Sequence, residues 1–119
     1  MSWFRRKKRR PTEKFNVLKI TFVCEQDGIP ERNLKQKFIP LFEERAYIRS
    51  AYLARVTYDN PNEINIALCI RMDQKDDEML KKAIGDIFWH TFNEKEHLDT
   101  ICISNEQEEE LKQVCRPFY

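Results

Sequence analysis

Residues 47–58, YIRSAYLARVTY, and residues 64–72, INIALCIRM, leave this chain few ways to fold. In the first, Tyr52, Ala54 and Val56 fall on one face of an extended segment. In the second, Ile64, Ile66, Leu68, Ile70 and Met72 alternate with Asn65, Ala67, Cys69 and Arg71, the period of two that marks a strand. Between them lies DNPNE, whose Asp and Asn side chains bond nearby backbone and whose proline has a fixed φ, so it makes a turn. The pair predicts a long β-hairpin. A two-stranded hairpin is marginal alone in water, so other elements must cover it.

The flanking sequence supplies them. FNVLKITFVCE, residues 15–25, puts Leu18, Ile20, Phe22 and Cys24 on one side of a strand, with Lys19 and Thr21 opposite, and Gly28 and Pro30 end it. PERNLKQKFIPLFEER carries Leu34, Phe38, Leu41 and Phe42 at helical spacing, with Pro30 and Glu31 suited to the first turn. Pro40 predicts a kink or stop within that helix. DQKDDEMLKKAIGDIFWHTFNE is the main helix, with Leu80, Ala83, Ile84, Ile87, Phe88 and Phe92 along its buried stripe. LDTICIS reads as a fourth strand, and Asn105 as the cap of a short acidic helix before the closing RPFY. The order β-α-β-β-α-β plus a terminal helix predicts an α+β fold. It is a two-layer sandwich of ferredoxin-like type, with both main helices on one sheet face. With 119 residues there is room for one domain, residues 15–119, behind a tail of residues 1–14 that has no periodicity.

That tail opens MSWFRRKKRRP. Lys and Arg number 21 and Asp and Glu 20, for a formal charge of +1. Setting aside Arg5, Arg6, Lys7, Lys8, Arg9 and Arg10 leaves 15 cations against 20 acids, so a basic tail is joined to a body of about −5. Trp3 and Phe4 precede the cations, aromatics suited to lipid headgroups ahead of charges suited to anionic lipid. Each Lys or Arg near such a surface contributes about 1 kcal/mol. The tail is therefore expected to be a tether to an anionic membrane or surface, the alternative being a merely solvated tail. Nucleic acid is expected to bind only nonspecifically, because the acidic body repels phosphate and INIALCIRM has no aromatic for base stacking. No window of 18 apolar residues exists, so no membrane-spanning helix is predicted. The stretch after the basic run is short, holds Lys19 and lacks a small-residue cleavage site, which argues against a signal peptide. A cytoplasmic protein with membrane association through its tail is the expectation.

Catalytic motifs are missing from the sequence. Gly28 and Gly85 are the only glycines, too few for a P-loop or a dinucleotide fingerprint. His90 and His97 stand seven apart, not at the i, i+4 spacing that chelates zinc, and no nucleophile elbow surrounds Ser2, Ser50 or Ser104. Asp76 and Asp77 stand at a helix start, where they suit the macrodipole. Cys24, Cys69, Cys102 and Cys115 form no close pair, and are expected to be reduced thiols acting as small hydrophobes. No catalytic residue, metal or cofactor is expected.

If both helices cover the face of Leu18, Ile20, Ile66 and Leu68, the other face presents Val17, Thr21, Val23, Leu53, Ala67, Cys69 and Cys102. Phe118 and Tyr119 would fold over part of it. Two readings of this face stand: the terminal helix and tail simply complete the core over it, or Leu53, Ala67, Cys69, Cys102, Phe118 and Tyr119 are a candidate interaction surface for a protein partner or a second copy of the chain.

Four stretches then fall into a familiar order: IRSAYLARV at 48–56, DDEMLKKAIGDIF at 76–88, LDTICIS at 98–104 and CRPFY at 115–119. Together they resemble the C-terminal domain of the enhanced serine sensitivity protein SseB family, over residues 15–119. The resemblance implies a bacterial protein. Family members often carry a second, N-terminal SseB-type domain, in whose place this chain has the basic tail. The resemblance brings no reaction and no catalytic residues. With the catalytic motifs missing, the sheet face and the acidic helix 106–114 make a non-enzymatic protein-interaction or accessory module the expectation. An alternative from another class is a stress or metabolic protein binding a small ligand in a closed pocket, and a variant of the module reading is a small acidic immunity-type protein that neutralises a toxin.

Overall fold

β2 (Ile48–Thr57) and β3 (Asn65–Met72) form the predicted hairpin at the centre of a four-stranded sheet. The computed structural model describes residues 19–73, 77–92 and 98–119. Trp3, Phe4, the cations Arg5, Arg6, Lys7, Lys8, Arg9 and Arg10, and Val17, Leu18, Asp76 and His97 lie outside them. The remaining elements are β1 (Thr21–Glu25), α1 (Ile29–Glu43), α2 (Glu78–Phe92), β4 (Asp99–Cys102) and α3 (Asn105–Leu111). The α+β class, the chain order and the sandwich of α1 and α2 on one sheet face are as expected. Strands follow chain order across the sheet, β1-β2-β3-β4. β1 and β3 run antiparallel to β2, and β4 runs parallel to β3. Of the two β-α-β units, only β3-α2-β4 is therefore a parallel crossover.

The alternation in β2 and β3 divides the core in two. Leu53, Ile66, Leu68 and Ile70 pack with Leu34, Phe38 and Phe42 of α1 and Leu80, Ile84 and Phe88 of α2. On the opposite face, Tyr52, Ala54, Val56, Ala67 and Cys69 pack with Leu111 and Cys115, from α3 and the turn after it. An extra residue in β2, between the pairs Ile48–Met72 and Ser50–Arg71, shifts the register. That bulge puts Ile48 on the same face as Ala51 and Leu53, against simple alternation.

Three expectations are corrected. Ile20 and Phe22 lie on the α3 face, because Phe22 pairs with Val56; alternation gives a strand two faces without saying which one the helices cover. α1 runs through Pro40 to Glu43. The proline and Gln36, whose carbonyl loses its helical donor, are both exposed, so water can serve that carbonyl. The cap of α3 is Ser104, not Asn105: the Gln107 amide donates to the Ser104 hydroxyl at 3.1 Å, and the Ser104 amide donates to the Gln107 side chain at 2.9 Å, a complete capping box. Asp77 caps α2 by accepting from the Leu80 amide at 3.0 Å.

The two glycines make opposite predictions. Gly28, at the start of α1, has φ +152°, and a Cβ there would collide with the carboxylate of buried Glu31. Gly28→Ala should lower stability by about 1–3 kcal/mol. Gly85 lies exposed in α2 with open space where a Cβ would go, so Gly85→Ala should raise stability by about 0.5–1 kcal/mol. Urea unfolding of the two variants checks both signs.

Candidate functional site

The chain's last four residues carry the most elaborate contacts outside the two cores. β1 pairs with residues 54–57 of β2, and the Gln26 amide still reaches the Leu53 carbonyl at 3.0 Å. Beyond that point the same edge of β2 is taken by the C-terminus. The Phe118 amide donates to the Ala51 carbonyl at 2.9 Å, and the Ala51 amide donates to the Tyr119 carbonyl at 3.1 Å. Residues 116–119 thus form a strap that passes from the α3 face to the α1 face around the sheet edge. At its base Cys115 is buried. At its tip the Phe118 ring stands 6.4 Å from Phe38 and 6.1 Å from Phe42, and Tyr119 meets Phe42 edge-on at 5.5 Å.

Charged groups hold the strap's entrance. Glu25, at the end of β1, receives the Arg116 guanidinium at 2.9 and 3.1 Å and the Lys35 ammonium at 3.3 Å. The Arg116 hydrogen bond is the main reason the Glu25 carboxyl titrates below its usual range. The Lys35 ammonium, on α1, also lies 5.9 Å from the centre of the Phe118 ring. Deeper in, Gln26 donates to Glu31 at 2.8 Å and accepts from Arg55 at 2.6 Å.

A second node fastens α3 to the sheet. One oxygen of Glu108 accepts from the Ser50 hydroxyl at 2.6 Å and the Tyr52 hydroxyl at 2.7 Å, and the other stands 3.6 Å from Arg71. Burial, the largest single influence, raises the Glu108 pKa; the two hydroxyls, Lys112 and Arg71 outweigh it, and the net direction is down. Burial and the bond to Glu108 push the Tyr52 phenol up. A phenol held neutral and a carboxylate held charged make a strong charge-assisted bond. The arrangement can fasten a helix; its polar groups are spent on one another.

The six candidate surface residues do not form one surface. Leu53 is buried in the α1–α2 core, and Ala67 and Cys69 are buried on the opposite face. Ala67 and Cys69 are corrected from surface to interior because α3 covers the face that was expected to be open, and Leu53 because it lies on the α1–α2 face, opposite Leu68. Cys102 is exposed. Phe118 and Tyr119 are half-buried, but over α1 rather than over Cys69. Burial pushes the Cys115 thiol up to about 12, and Cys69 higher still, so neither is a ready thiolate. Cys24, Cys69 and Cys115 are free thiols. Glu108, Glu25 and Ala51 escaped sequence reasoning, since no local pattern announces a partner 58 or 91 positions away.

Among the described residues Ile64, Met79 and Trp89 are large exposed apolar side chains, and three others lie closer along the chain to the Glu25–Arg116 ion pair. Val23 on β1, Ile29 at the start of α1 and Val114 just before Cys115 are exposed. Val23 and Val114 each stand two residues along the chain from a member of the Glu25–Arg116 ion pair, and Ile29 opens the helix that supplies Lys35 to Glu25. Among the described residues no helix is long and apolar enough to cross a membrane. A family model described as the SseB protein C-terminal domain matches residues 29–119, from the start of α1 to the end of the strap. No curated protein and no solved structure matches the chain.

Glu108 sets a pH test. A carboxyl whose folded pKa is lowered contributes stability above its ordinary value, here 4.5, and loses it as pH falls through the folded pKa. Glu108→Gln should therefore melt below the parent at pH 7, with the difference shrinking toward pH 3. A difference that stays constant between those pH values would contradict the assignment.

Proposed function

The chain belongs to the SseB protein C-terminal domain family, and on that footing we propose that it is a non-enzymatic protein-interaction module with a basic N-terminal tether. The observation that carries this is the exposure of Val23 and Val114, each two residues from a member of the Glu25–Arg116 ion pair, and of Ile29 at the start of α1. Large apolar side chains grouped beside paired charges are the composition of a binding patch. The polar groups nearby, Glu25, Lys35, Arg116 and Asp27, are engaged with one another or with Arg32, which suits a rim of fixed charge around an apolar centre.

The tether reading rests on composition. Arg5, Arg6, Lys7, Lys8, Arg9 and Arg10 follow Trp3 and Phe4 and precede a body of opposite net sign. Such an arm would hold the acidic body at an anionic membrane while leaving the folded domain free to meet its partner. A cytoplasmic location at the inner membrane surface fits that role.

Both halves are testable. Full-length protein should sediment with anionic vesicles and not with neutral ones, less in high salt, and not at all once Arg5–Arg10 are neutralised. Sedimentation with neutral vesicles to the same extent contradicts the tether. For the interaction edge, a bait carrying Ile29→Glu and Val114→Glu should keep the parent melting temperature, because both sites are exposed, and lose a partner that the parent bait captures from a bacterial extract. A partner retained equally by both baits contradicts that edge as the binding patch.

A further inference from the structure

α2 turns one side inward and leaves the other to solvent. Leu80, Ile84 and Phe88 are buried in the core that it shares with α1 and the sheet. With about 3.6 residues per turn, the face opposite Ile84 carries Glu78, Met79, Lys82, Asp86, Trp89 and His90, and all six are exposed. Two of them are large and apolar, Met79 at 75% exposure and Trp89 at 45%. The six stand symmetrically about Ile84. Lys82 and Asp86 lie two positions to either side of it, Met79 and Trp89 five, and Glu78 and His90 six. Each pair joins unlike groups: a cation with an anion, a thioether with an indole, a carboxylate with an imidazole. Within one helix Lys82 meets Asp86 at 3.9 Å, as i, i+4 neighbours do. Met79 and Trp89 are separated by about 15 Å along the axis and do not touch. Turned end for end and laid on itself, this face is its own complement.

We propose that the outer face of α2 is a self-association surface, on which two copies pack their α2 helices antiparallel about a two-fold axis level with Ile84. Lys82 of each copy then lies opposite Asp86 of the other, and the two intrahelical pairs join into a ring of alternating charge. Met79 of each copy packs on the Trp89 ring of the other, a thioether–aromatic contact that takes both large apolar side chains out of water. Glu78 lies opposite His90. Parallel packing would instead set Lys82 on Lys82 and Asp86 on Asp86. A partner of another kind would need the same groups in reversed order, which this chain already presents. The arrangement is isologous and closes at two copies. Six side chains from each copy fall short of the roughly 20–30 residues a side of a standard complex, so the dimer forms at high protein concentration. It uses no residue of the strap or of the Glu25 network, and stands or falls apart from the interaction reading of that edge.

The test uses the full chain. Sedimentation over rising concentration should show a monomer–dimer equilibrium. Lys82→Asp and Asp86→Lys each set like charges across the axis. Either variant alone should stay monomeric with the parent melting temperature, since both sites are exposed. An equimolar mixture of the two should dimerise again, because the acids of one then face the lysines of the other. In a mixture of nitrogen-15-labelled and carbon-13-labelled parent protein, the Met79 methyl of one copy should contact the Trp89 ring of the other. A parent chain that stays monomeric at NMR concentration overturns the proposal, as does a mixture of the two variants that fails to dimerise. A dimer that survives either charge reversal, or that lacks the Met79–Trp89 contact, also overturns it and places self-association on another surface.

Discussion

Two hydrogen bonds on the backbone of Ala51 decide how the halves of this molecule are joined. The sheet is covered by α1 and α2 on one face and by α3 on part of the other, and each side has its own apolar core. The sheet separates those cores, and around its β1-side edge the chain crosses from α3 to the α1 face. It does so between Cys115, buried beside Leu111, and Phe118, packed on Phe42. The crossing holds because the strap finds a strand edge to pair with. It finds one because β1 stops pairing at Glu25, opposite Ala54. A longer β1 would have sealed the edge and left the C-terminus without a seat.

The charged groups follow from the same crossing. Glu25 is the last residue of β1 and the first that the returning chain meets, so it takes Arg116 from the strap and Lys35 from α1 together. Exposed ion pairs contribute little on their own. What this one adds is register: it places Arg116 so that the next residues arrive opposite Ala51. Glu108 does the equivalent for α3, a helix of seven residues, too short to be stable by propensity alone. Its capping box, buried Leu111 and the bonds from Ser50 and Tyr52 keep it on the sheet.

Elements with strong local periodicity were legible in the sequence: the β2–β3 hairpin, both long helices and the order of the strands. So was the two-sided character of β2 and β3, because alternation is a property of adjacent residues. What escaped was set by contacts distant in sequence. Which face Phe22 would join depended on its pairing with Val56, and the placement of Ile48 depended on a bulge that alternation cannot reveal. Of the two readings of that face, the terminal helix completing the core is the one the structure has, although a seven-residue acidic segment does not announce that Glu108 would face inward to Tyr52. Phe118 and Tyr119 were expected to cover the sheet, and they do cover an apolar surface, but on the α1 side. A terminal strap carries no periodicity from which a side could be read.

The central claim is that the C-terminal residues complete the β2 edge as part of the fold. Amide hydrogen exchange at Ala51 measures it directly, because that amide donates to the Tyr119 carbonyl. Protection at Ala51 should be well above that of an unpaired edge amide in the full chain. It should fall in a Phe118→Ala, Tyr119→Ala variant, while the amides between β2 and β3 keep their protection. Rapid exchange at Ala51 in the unaltered protein, at the rate of an open strand edge, would contradict the account.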